Sequence, residues 1–260
     1  MEPVTARLAP LTLSKAVIAA GVVLLLVDAA LIGIHLWYES WRISDRDVPA
    51  WLRSSRYSLD RDRGFAELVN YVKLSSAGIL LLGVFATRKR SSVLAVWAVA
   101  LFLAVADDAL RLHEEWGGRI ASRVDVPELF GLRRFDIAEA MVWGAFAALL
   151  LPLFVVAFRR SDWWVRSFSW TLTALLGLLV LFAAGAELLR RPLAGWERAL
   201  GTIEDGGEIV VSSALVVVAI AAAQAVRPAP ASRFGRAVPA RRRLAPRAAS
   251  AAENGPGRER

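Results

Sequence analysis

Six stretches of this chain are each about twenty residues long and almost wholly apolar, and no other feature constrains the fold as much. They run approximately from Ala16 to Tyr38, Leu68 to Thr87, Ser91 to Leu112, Ile137 to Phe158, Ser167 to Leu188 and Gly207 to Val226. An α-helix rises about 1.5 Å per residue, so each stretch is long enough to cross the roughly 30 Å of hydrocarbon in a bilayer. A soluble domain of 260 residues buries its core without repeated runs of this length. The expected fold is therefore all-α, a polytopic transmembrane bundle of six membrane-spanning helices over residues 16–226. Residues 1–15 precede it, and charged connections at about 39–66, 113–136 and 189–206 join the spans at one end. The first stretch follows Arg7 and Lys15 but is too long for a signal peptide and has no small-x-small site after it, so it reads as an uncleaved anchor.

The formal charge of +8 raises the question of nucleic acid. Its main source is the segment 227–260, which holds nine arginines among Pro, Ala and Gly, three of them consecutive at Arg241, Arg242 and Arg243. That composition lacks apolar periodicity and predicts a disordered basic tail. Beside a membrane helix, anionic lipid headgroups are its expected partner, and no nucleic-acid recognition motif accompanies it. The connections Arg88-Lys89-Arg90 and Arg159 to Arg166 are also basic, and setting them and the tail in the cytoplasm puts both termini on the cytoplasmic side of the cell membrane. Trp37, Trp41, Trp116, Trp163 and Trp164 fall near predicted helix ends, as interfacial aromatics do. The chain has no cysteine and only two histidines, His35 and His113, which excludes disulfides, thiolate sites, iron–sulfur clusters and an all-histidine metal site within one chain.

With that orientation, nineteen of the twenty-four acidic side chains fall at the outer ends of the spans or in the connections between them. Glu67 and Asn70 share a face at i and i+3, as do Asp136 and Glu139, and Glu204 aligns with Glu208 at i and i+4. If the third helix continues through His113, Asp107 stacks with Glu114 and Asp108 with Glu115, seven apart, as two acidic stripes with Arg111 between them. Carboxylates at this depth must be paired, bound to metal or open to water. Acids at the start of the fourth and sixth spans are favoured by the helix dipole. Asp107 and Asp108, at a C-terminus, need a cation: Arg111, Lys73, a proton or a metal. The run from Asp60 to Gly64 hints at a calcium loop, but Gly64 is misplaced and Tyr71 stands where the bidentate Glu belongs.

The candidate metal ligands, for a divalent ion, are Asp107, Asp108, His113, Glu114 and Glu208, with Glu67 and Glu139 contributing. Carboxylates with one imidazole suit Mn, Fe, Mg or Ca better than a closed zinc site. Asp107, Asp108, His113 and Glu208 are also the candidate catalytic groups. Asp28 falls near mid-span and His35 seven residues later on the same face, as a proton or cation pathway requires, although a hydrogen bond to a neighbouring helix would equally satisfy Asp28. Salt bridges to Arg111, Arg133, Arg134 and Lys73 are the structural alternative for the other acids. Gly206 and Gly207 suit a turn into the sixth span.

The pattern Asp107-Asp108-x-x-x-x-His113-Glu114-x-x-Gly117, with Glu204-Asp205-Gly206-Gly207-Glu208 and the stretch from Asp62 to Lys73, resembles an uncharacterised family of bacterial polytopic membrane proteins. The resemblance implies a membrane location and a clustering of these motifs, and no reaction. Alkaline ceramidases are a looser analogy, because the paired histidines of their final helix are missing here. Three functions suit these residues: a metal-dependent membrane enzyme acting on a lipid-linked substrate, a proton- or cation-coupled transporter, and a non-catalytic scaffold or accessory subunit. No nucleophile motif, phosphate loop or dinucleotide fingerprint is present.

Overall fold

A computed structural model describes residues 14–44, 49, 54–59, 61, 63–88, 90–128, 132–190, 193 and 195–226. The basic tail and the first thirteen residues lie outside them. Among the described residues the protein is all-helical: α1 (Lys15–Ile43), α2 (Phe65–Thr87), α3 (Ser92–Leu110), α4 (Leu112–Arg123), α5 (Arg134–Arg160), α6 (Trp163–Arg190) and α7 (Glu197–Val226). Among the described residues between α1 and α2 lies one 3-10 turn, Ser55–Tyr57. All but α4 are long and apolar enough to cross a membrane.

The sequence sets several helix ends. Ser14 caps α1, its hydroxyl accepting the Val17 amide at 3.2 Å, and Asp136 reaches back to the Arg133 amide at 2.8 Å to start α5. Gly64 precedes α2, where an added Cβ would lie 2.7 Å from the carbonyl oxygen of Arg61.

Three expectations are corrected. The third span does not continue through His113: Arg111 turns into the left-handed region (φ 55°, ψ 40°) and a separate, amphipathic helix α4 begins at Leu112. The acidic stripes over Asp107/Glu114 and Asp108/Glu115 therefore do not form. The sixth span begins at Glu197, ten residues before Gly207, so Gly206 and Gly207 make no turn and Glu204 to Glu208 lie beyond the first turn, past the reach of the helix dipole. Instead the glycine pair thins α7 where it packs. A Cβ at Gly207 would stand 2.5 Å from the Phe182 ring of α6, and Gly206 lies against Ile32 of α1. The expected connections 39–66, 113–136 and 189–206 shrink accordingly, because α1, α4, α6 and α7 extend into them.

The core lies among α2, α3, α6 and α7, where Leu81, Leu94, Val165, Leu172 and Ala219 are wholly buried. Trp97 of α3 donates its indole N–H to Ser169 of α6 at 2.7 Å, satisfying both buried polar groups. The outer surface inverts the pattern of a soluble protein. Leu26, Leu149, Leu151 and Leu181 are among many large apolar side chains more than half exposed, a surface suited to lipid. Helices α1 and α7 run antiparallel, with Ser14 bonded to Gln224 (2.5 Å), Asp28 to Ser213 (2.6 Å) and His35 to Thr202 (3.1 Å). At one end of the bundle the amide of Asp162 bonds the carbonyl of Arg90, so the two arginine-rich connections meet there. The carboxylates gather at the other end.

Candidate functional site

Asp28 is 1% exposed and Lys73 4%, and the two form a salt bridge between α1 and α2. The second oxygen of Asp28 accepts from Ser213 of α7, and the Lys73 ammonium also donates to the carbonyl of Ile209 at 3.1 Å. Every charge in this group is answered, as a buried ion pair requires. Lys73 thus serves Asp28, not Asp107 or Asp108.

His35 is held just as firmly. The Leu59 amide donates to its Nδ1 at 3.1 Å, so that nitrogen is an acceptor and the proton sits on Nε2, which faces the Thr202 hydroxyl. Ser58 lies 3.3 Å from the same Nδ1. The ring fastens residues 58–59 onto α1 and joins them to α7.

Asp107 is fully buried and accepts twice from one residue: the His113 amide at 2.9 Å on one oxygen and His113 Nδ1 at 2.7 Å on the other. Its carboxylate caps α4 across the left-handed Arg111, which explains the break in the third span. Glu114 pairs with Arg111, and Glu115 with Arg119 at 2.5 Å, both on the surface of α4. Gly117 lets α4 rest on α5, since a Cβ there would lie 2.7 Å from Glu139 Cγ. Glu139 in turn lies within electrostatic reach of His113, Glu114, Asp136 and Arg133.

The remaining candidates meet elsewhere. Glu67 of α2, Asp108 of α3 and Asp205 and Glu208 of α7 line one cavity of about 150 Å³, with Arg61 at its edge and Asn70 in its wall. Glu67 is oriented by the Tyr71 hydroxyl and the Arg63 amide, both of which donate to it. Asp108 interacts with Glu67 and Tyr71, and Glu208 with Asp205, Glu204 and Asp108. Among the described residues, Asn70 Oδ1 is buried with no hydrogen-bond partner.

The proposed ligand set therefore divides. Asp108, Glu208 and Glu67 share the cavity. Asp107, His113 and Glu139 form a second group at the α3–α4–α5 junction, and Glu114 stands on the surface with Arg111. Among the described residues, no three His, Asp or Glu side chains are gathered closely enough to hold a metal ion. Sequence reasoning left Asp205 out of the candidate ligands and did not place Arg61. Asp205 was legible in principle, three residues before Glu208 on α7, but only once that helix is started at Glu197.

No curated protein and no solved structure matches this chain. A family model described as a domain of unknown function (DUF8692) matches residues 16–224, nearly all of the helical bundle, and the chain belongs to that family.

Proposed function

We propose that this integral membrane protein binds a small cation in the cavity formed by Glu67, Asp108, Asp205 and Glu208. The observation that carries the reading is the convergence, among the described residues, of four carboxylates from three helices on a space edged by one guanidinium, Arg61. An excess of negative charge at the end of an apolar bundle is costly unless a cation answers it. The buried, unpartnered oxygen of Asn70 offers that cation one more acceptor. Because the carboxylates are not gathered for direct coordination, the fitting ligands are an ion that keeps part of its water shell, as Mg²⁺ does, or a primary ammonium. Binding is the activity these residues support.

The positive-inside rule sets the arginine-rich connections and both termini in the cytoplasm and opens the cavity to the outside. The basic tail then lies against anionic headgroups.

The test is calorimetric titration of the purified chain in detergent with Mg²⁺, Ca²⁺ and methylammonium. Binding by at least one of them, weakened tenfold or more in Glu208→Gln and in Asp108→Asn, is the expected result. Silence with all three, or affinity unchanged by both substitutions, overturns the proposal.

A second reading, cation-coupled transport, draws on one observation: the Lys73–Asp28 pair lies one helical turn below Asn70, and Lys73 bonds the carbonyl of Ile209, which lines the cavity. It requires that Asp28→Asn abolish cation flux in proteoliposomes. Flux equal to wild type leaves binding alone.

A further inference from the structure

A neutral histidine has one proton to place, and the neighbours of His35 decide where it goes. Thr202 donates its hydroxyl to the carbonyl of Arg198 at 2.9 Å, so its oxygen is left to accept from Nε2–H of His35 at 3.1 Å. Nδ1 therefore keeps its lone pair, and the Leu59 amide donates to it at 3.1 Å, with the Ser58 hydroxyl 3.3 Å away. The ring stays neutral as long as both contacts hold. A second proton, on Nδ1, would face the Leu59 N–H donor to donor. The Ser58 oxygen can turn to accept that proton, but the Leu59 amide, on a residue 7% exposed, still loses its partner.

That contact holds a strap, residues 54–59, against the carboxylate end of the bundle. Residues 54–56 are exposed, whereas Ser58 and Leu59 are buried beside α1. Leu59 packs on Ala66 of α2 and Ile209 of α7, with Leu31 and Ile32 of α1 against them. The strap also passes close over Gly64, where an added Cβ would stand 3.2 Å from the carbonyl oxygens of Arg56 and Ser58. Leu59 and Arg61 line the cavity that holds Glu67, Asp108 and Glu208. Moving Leu59 off α1 therefore opens one wall of that cavity.

We infer that His35 is a proton-operated latch on the strap: the neutral ring holds Leu59 in the wall of the carboxylate cavity, and the imidazolium releases it. His35 is 5% exposed but lines a space of about 310 Å³ between α1 and α7, which gives a proton its way to the ring. Among the described residues, the charged groups in that space are Glu39 and Arg42 of α1 and Glu197, Arg198, Glu204 and Asp205 of α7. Beyond Leu59 stand Arg61, Glu67, Asp108 and Glu208, and Asp28, further along α1, is bound to Lys73. The latch does not depend on what the cavity binds. Its effect on a bound cation rests on the cation reading proposed above.

The test follows hydrogen exchange at the Leu59 amide of the purified full chain in detergent, read by mass spectrometry and corrected for the intrinsic pH dependence of exchange. The range runs from about pH 8 to about pH 5, where histidine titrates. Protection in the wild type is expected to fall at least tenfold across it. The surrounding carboxylates take up protons over part of the same range, and His35→Asn separates them from the ring. It keeps every one of those groups and sets an uncharged oxygen at the place of Nδ1, so protection is expected to persist at both ends of the range. His35→Ala is expected to lack it throughout, and should that variant not fold, the wild type against His35→Asn decides alone. At about pH 8, His35→Ala is expected to release methylammonium at least tenfold faster than His35→Asn, and equal release overturns the strap's hold on the cavity. Protection that follows pH as stated in a protein that binds no cation supports the latch and removes the cation reading. Unchanged protection in the wild type, or an equal fall in His35→Asn, overturns the inference.

Discussion

Asp107 and Asp108 leave the same turn of α3 and meet opposite surroundings. Asp107 is fully buried, with one oxygen on the His113 amide and the other on its ring. Asp108 is exposed to the cavity, among Glu67, Glu208 and Asp205. Asp28 repeats the first case, answered by Lys73 and Ser213, and Glu208 the second. The contrast separates acids that hold the bundle together from acids left available to a ligand. A wholly buried carboxylate whose oxygens are both engaged stabilises the fold and has no exposed face to offer a ligand. One that faces like charges across a cavity favours a bound cation.

The comparison breaks most easily at its buried ion pair. Lys73→Met leaves the Asp28 carboxylate uncompensated among α1, α2 and α7. Removing one partner of a buried ion pair costs about 3–5 kcal/mol, so a large fall in the melting temperature of the detergent-solubilised protein is expected. Asp28→Leu combined with Lys73→Met removes both charges and should recover most of that loss, because an apolar replacement of a whole buried pair is often neutral. A double variant no more stable than Lys73→Met alone would show that the pair contributes more than mutual neutralisation.

Asp107→Ala against Asp108→Ala sharpens the contrast between the adjacent acids. The first strips the cap from α4 and orphans the His113 amide, for a loss of about 2 kcal/mol. The second removes one of four mutually repelling carboxylates and should leave stability within about 0.5 kcal/mol of wild type. Chemical denaturation of the two proteins side by side checks this, and equal losses would erase the distinction between the two carboxylates.

The spans were legible because apolar length is a local property of the sequence, and all six are present in the structure. Two helix boundaries were not. Glu197 to Gly206 is too charged to stand out as membrane helix, yet it continues α7, with Thr202 bonded to His35 and Gly207 packed on Phe182. The end of α3 was misread because Asp107 looks like any acid at a helix C-terminus. Only a side chain reaching six residues forward, to the His113 amide, shows it to be a cap for the next helix. Pairing failed to show in the sequence for the same reason. Lys73 lies 45 residues from Asp28 and 34 from Asp107, and nothing in those spacings chooses between them. Helical periodicity grouped residues that share a face of one helix. Which face meets which is decided by packing between helices, and that divided the expected ligand set in two.

The smallest expected effect falls at Arg111, the hinge that separates the two acids' surroundings. Its left-handed backbone, φ 55°, costs a residue with a Cβ about 1 kcal/mol more than glycine. Its side chain pairs with Glu114, but the pair is 50% and 31% exposed, so water screens it to about 0.5 kcal/mol or less. Glycine also gains chain entropy in the unfolded state, which offsets part of the backbone relief. Arg111→Gly should therefore change stability by only a few tenths of a kcal/mol, while Arg111→Val, whose branched side chain resists the left-handed region, should be clearly destabilising. That order, glycine near wild type and valine well below it, would show that the hinge is set by backbone geometry. Large and equal losses in both variants would show instead that the Arg111–Glu114 pair holds α4 in place, and the division between Asp107 and Asp108 would then rest on a surface ion pair instead of on the cap.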